Sequence, residues 1–173
     1  MQTITKTRLC VIFAFLALTC SVQMTDAKEI PPKFFGKFVL DRSENFDEFL
    51  SAKGVNWLLR QMIKLASVTK VIGKGDKPST YNYENLTSKK NTLYHGWELG
   101  KTFRAEGLDG KPHDITFNYV NGELTEKHIR LDEPADNNTE TYHYTIDDKD
   151  QLVLKMENNN IICRRWFKRQ QPK

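Results

Sequence analysis

Apolar and polar residues alternate along most of this chain with the period of a β-strand. In Leu152-Val153-Leu154-Lys155-Met156-Glu157 the two leucines and Met156 fall on one side, and Lys155 and Glu157 on the other. In the run 161–168, Ile161, Cys163, Arg165 and Phe167 share one face, with Arg164, Trp166 and Lys168 opposite. The opposite face is charged, so the first is the inner one, and it carries an arginine, Arg165. Strands are expected at 34–40, 68–72, 80–85, 92–97, 103–108, 114–120, 124–131, 139–146, 152–156 and 161–168. Turn formers separate them, among them Gly73-Lys74-Gly75-Asp76, Asp109-Gly110, Asn121-Gly122 and Asn158-Asn159. Asp-Gly and Asn-Gly are strong hairpin signals. So many short strands must close or stack to bury one face.

The helical period appears only early. Asn45 followed by Glu48 predicts a capping box opening a short helix, with Phe46, Phe49 and Leu50 on one face and Gly54 at its end. A second helix is expected over 55–66. Its apolar face carries Val55, Leu58, Leu59, Met62, Leu65 and Ala66; Lys53, Trp57, Arg60 and Lys64 form the other, outward face. The two join almost without a loop.

The first 27 residues follow a different rule. Lys6 and Arg8 precede the apolar run Leu9 to Leu18, and Thr25-Asp26-Ala27 closes it with small residues. That pattern predicts a secretory signal peptide over 1–27, followed by one domain over 28–173 outside the cell. Of the three cysteines, Cys10 and Cys20 fall in this leader and leave Cys163 alone, so the mature monomer is expected without an internal disulfide. Lys plus Arg is 26 and Asp plus Glu 22; less Lys6, Arg8 and Asp26, the balance is 24 to 21. A surplus that small and dispersed does not point to nucleic acid. Asn85-Leu86-Thr87 and Asn137-Asn138-Thr139 are glycosylation acceptors in an exported chain. The histidines His95, His113, His128 and His143 lack metal-ligand spacing, and no nucleophile elbow or phosphate loop appears.

Gly36-Lys37-Phe38-Val39-Leu40, then Asn45-Phe46-Asp47-Glu48-Phe49-Leu50, resembles the N-terminal signature of the fatty acid-binding protein family, the intracellular lipid-binding proteins of the calycin group. The likeness continues through Leu99-Gly100-x-x-Phe103, Asn121-Gly122 and Arg165-x-Phe167. With a signal peptide and a long 132–138 turn it is similar to the secreted nematode branch. The resemblance implies an all-β fold: a ten-stranded antiparallel up-and-down β-barrel, a clam, capped by a two-helix lid. It implies a fatty acid inside, its carboxylate held by an Arg-x-Tyr pair on the last strand and an arginine two strands earlier. Here the arginine is Arg165, the tyrosine position is Phe167, and the earlier arginine aligns with His143.

The chain is therefore expected to be a non-enzymatic, monomeric carrier with no cofactor and no metal. The expected ligand is a long-chain fatty acid or related small lipid; a retinoid is the alternative. The expected ligand-facing residues are Arg165, Phe167, His143, Phe46, Met62, Leu154 and Met156, in a hollow that is greasy apart from one buried cation. The Lys53, Trp57, Arg60, Lys64 face suits transient contact with an anionic membrane surface. A lipocalin-like carrier is a rival reading, against which the paired helices and the missing disulfide stand. A lipid-modifying enzyme is another, and it would need a reactive group in the cavity.

Overall fold

A computed structural model describes residues 29–134 and 138–171. The leader and Asn137 lie outside that range. A 3-10 turn, Pro32–Phe34, precedes strand β1 (Gly36–Glu44). Two helices follow, α1 (Phe46–Ala52) and α2 (Trp57–Lys64). The remaining strands are β2 (Val68–Lys74), β3 (Tyr81–Thr87), β4 (Thr92–Trp97), β5 (Thr102–Glu106), β6 (Pro112–Val120), β7 (Glu123–Arg130), β8 (Thr139–Ile146), β9 (Gln151–Asn158) and β10 (Ile161–Gln170). All ten expected strands are present. The boundaries differ by one or two residues: Phe34 lies in the 3-10 turn and Phe35 just after it, and Thr80, Gly107, Leu108 and Leu131 fall outside the strands expected to hold them.

The strands form one antiparallel sheet in the order β4-β3-β2-β1-β10-β9-β8-β7-β6-β5. Nearly every neighbour is a sequence neighbour, as short hairpins require, and β1 closes onto β10. The Asn121-Gly122 turn has both residues at positive φ, 54° and 85°, the mirror-image turn whose twist suits a hairpin. β4 and β5 border a seam without ladder bonds. Side chains cross it instead: Tyr94 meets Phe103 edge-on at 5.5 Å, and the Tyr94 hydroxyl donates to the Glu106 carbonyl at 3.3 Å. Trp97 stacks on Phe117 at 4.0 Å behind the same seam.

The helices differ from expectation in two ways. Asn45 adopts a left-handed backbone and makes no side-chain cap; its amide donates to the Ile162 carbonyl at 3.0 Å, pinning α1 to β10. The cap that does form is Asn56, whose Oδ1 accepts from the Leu59 N–H at 3.0 Å and opens α2. The facing of α2 also differs in part. Arg60 and Lys64 turn toward α1, where both reach Asp47 at 3.4 and 3.2 Å. Much of the apolar stripe faces outward: Leu58 is 63 % exposed, Met62 46 % and Leu65 87 %, while Val55 packs against the core together with Ile63, and Trp57 is outward as expected.

Candidate ligand-binding site

The inner wall is built from alternate residues of each strand. On β10 these are Cys163, Arg165 and Phe167; on β9, Leu152, Leu154 and Met156. All are buried, and register places Tyr144 of β8, Leu154 and Arg165 side by side in one row. Arg165 is 8 % exposed. Its Nε donates to the Ser43 hydroxyl at 3.1 Å, across the β1–β10 pair. Its guanidinium lies 4.0 Å from the Phe46 ring centroid, so α1 roofs it. Phe167 lies 5.8 Å away. Burial lowers the arginine to about 10, with Cys163 and Tyr144 working the other way. Arg165 forms no ion pair with a described carboxylate.

Phe46, Phe167 and Leu154 adjoin Arg165 or share its row, and Met156 points inward on the next row, opposite Cys163. His143 does not. It sits between the inward Tyr142 and Tyr144 and faces outward, with Nδ1 2.7 Å from Glu123. The β8 residue in the arginine's row is Tyr144. Met62 also departs, since it lies on the exposed stripe of α2.

The interior is not greasy apart from Arg165. Lys70 of β2 is 5 % exposed. Its ammonium donates to the Tyr83 hydroxyl at 2.5 Å, to Asn85 Oδ1 at 3.1 Å and to the Tyr144 hydroxyl at 3.5 Å. Burial pushes it down to about 8; Glu126 opposes that and Arg165 adds to it. Glu126 of β7 is buried as well, accepting from Tyr144 at 2.6 Å and lying 2.8 Å from His128 Nε2. Burial works to raise this carboxyl, but His128, Lys70 and Tyr144 outweigh it and hold it below the ordinary range. Burial likewise raises Tyr83 and Tyr144 well above the usual phenol range. His128 Nδ1 lies 3.1 Å from His113 Nδ1, so one of these two nitrogens must be bare for a hydrogen bond to form. His113 in turn reaches Asp109 at 3.2 Å. A polar chain therefore runs from the barrel interior to the β5–β6 turn.

The signal for these groups was present in the sequence. Lys70 shares phase with Val68 and Ile72, and Glu126 and His128 share phase with Leu124, all on inward positions. Asn85 belongs to this network too. It is buried and bonded to Lys70, so it does not offer its amide to a glycan in the folded barrel. Among the described residues no cluster of three or more His, Cys, Asp or Glu side chains could hold a metal ion.

The fold is an antiparallel β-barrel laddered throughout except at the β4–β5 seam, with two helices at one end and a buried arginine on its inner wall. No family model matches the chain. Individual relatives do. It is 66 % identical over 157 residues to the fatty acid-binding protein homolog 3 of Caenorhabditis elegans, covering 91 % of this chain and 92 % of that one. It is 43 % identical over 164 residues to the fatty acid-binding protein homolog of Ascaris suum, covering 93 % and 99 %. Among solved structures it matches As-p18, an extracellular fatty acid binding protein, with a TM-score of 0.79 and 45 % identity over 83 % of this chain and all of that one. The chain belongs to the fatty acid-binding protein family.

Proposed function

We propose that this protein is a secreted, non-enzymatic carrier that encloses one long-chain fatty acid, with the carboxylate held by Arg165. The observation that carries this reading is a charge imbalance. Arg165 and Lys70 are both buried cations, and Glu126 is the buried anion that lies within one hydroxyl bridge of Lys70. Among the described residues the Arg165 side chain hydrogen-bonds the Ser43 hydroxyl, lies against the Phe46 and Phe167 rings and meets no carboxylate. An unpaired buried guanidinium is costly, and a ligand carboxylate supplies the missing charge. Charge-assisted hydrogen bonds contribute roughly 1.5–3 kcal/mol each, whereas tail burial contributes about 0.8 kcal/mol per methylene. The tail therefore sets affinity, and Arg165 sets head-group preference.

Secretion is supported by the basic, then apolar, then small-residue order of the first 27 residues and by relatives that include an extracellular protein. Membrane contact is retained in altered form. Lys53 is paired with Glu140, and Arg60 and Lys64 with Asp47, so basic charge is largely neutralised within the molecule. The surface presented to a bilayer is the apolar stripe of α2, through which ligand passes to and from the barrel.

Displacement of a fluorescent fatty acid tests the assignment. Arg165→Ala is expected to weaken a fatty acid about ten-fold or more, and the fatty alcohol of equal length far less. Equal losses for acid and alcohol would remove Arg165 from the head-group site.

A further inference from the structure

The inner faces of β2, β3 and β4 carry a second polar locus, distinct from Arg165. Register sets Lys70 opposite Asn85 and Asn85 opposite Thr92, so the three side chains form one row across three strands. All three are buried. The first two bond each other at 3.1 Å. Thr92 is 7 % exposed, and its hydroxyl has no hydrogen-bond partner among the described residues. A buried hydroxyl without a partner is destabilising, and such groups call for a water or a ligand atom. Strand alternation points Thr92 to the same side as Tyr94 and away from the exposed Leu93, hence into the barrel. Both loci border the Phe167 ring, with Lys70 Nζ 5.6 Å and the Arg165 guanidinium 5.8 Å from its centroid.

We propose that the barrel selects fatty acids bearing a second oxygen function on the chain, a hydroxyl or keto group. Arg165 takes the carboxylate, and the Lys70–Asn85–Thr92 row receives the other oxygen. The row matches that chemistry. Lys70 spends its three N–H groups on Tyr83, Asn85 and Tyr144 and so holds Asn85 Oδ1 in place, which leaves the Asn85 side-chain NH2 as a donor and the Thr92 hydroxyl, which can donate or accept, uncommitted. A plain hydrocarbon tail lying across the row leaves Thr92 orphaned; an oxygen placed there satisfies it. This inference rests on the carboxylate reading of Arg165 and adds the selectivity that reading lacks.

The test compares stearate with monohydroxystearates whose hydroxyl is stepped along the chain, each displacing a fluorescent fatty acid from the full mature protein. At least one positional isomer is expected to bind roughly five-fold tighter than stearate. Thr92→Val, nearly the same in shape, is expected to abolish that preference while stearate affinity stays within about two-fold. Lys70→Met is expected to collapse the same ratio. If no isomer exceeds stearate, the row holds water only and the proposal fails. It fails equally if the preference survives both substitutions. Displacement by none of the acids, stearate included, would instead overturn the carboxylate reading beneath it.

Discussion

Lys70 is flanked on its own strand by Val68 and Ile72, and all three point inward, so the fold holds an amine where a hydrocarbon would be expected. Unfolded, such an amine keeps its proton to about pH 10.5; folded, it loses it from about 8. Between those values the unfolded chain binds more protons, so raising the pH favours the folded state. Relative to Lys70→Met, the wild-type barrel is expected to gain stability between pH 8 and 10, by up to about 3 kcal/mol. Urea denaturation at stepped pH reads this directly, and parallel profiles for the two proteins would contradict it. The comparison matters because Tyr83 and Tyr144, held above the usual phenol range, act in the opposite sense as pH passes 10. Lys70, Glu126 and His128 were concealed in the sequence by their chemistry. Charged residues read as surface, and only their phase with Val68, Ile72 and Leu124 marks them as interior. Their mutual contacts depend on partners on other strands, which no local pattern gives.

The strands were legible because alternation is a local property, and hairpin turns such as Asn121-Gly122 announce their own geometry. The lid was only half legible. Amphipathicity locates α2, but its facing depends on how it meets α1, which no local pattern gives. Arg60 and Lys64 reach Asp47 on α1, while Leu58, Met62 and Leu65 are left at the surface. Replacing Leu58 and Leu65 together by Gln is expected to slow fatty acid transfer to phospholipid vesicles several-fold, with little effect on ligand affinity or melting temperature. Because both side chains are exposed, their loss removes little buried surface. Transfer should also depend only weakly on salt, since burial of an apolar stripe is not screened as a charge contact is. An unchanged transfer rate in the double variant would exclude α2 as the contact face.

At the scale of the whole barrel, closure is uneven. β1 and β10 are joined by a long ladder, whereas β4 and β5 meet through side chains. Hydrogen exchange should follow this division, with slow amides in the β1–β10 ladder and fast ones along the edges of β4 and β5 that face the seam. Uniform protection around the barrel would show that the seam is as firmly closed as the rest. The same distribution of aromatic residues gives the molecule built-in optical reporters. Its three tryptophans occupy three settings: Trp57 in solvent on α2, Trp97 stacked within the barrel wall, and Trp166 beneath the Arg42 guanidinium at 3.4 Å on the outside. Single-tryptophan versions would therefore resolve, by emission wavelength and quencher access alone, lipid-surface docking from filling of the interior.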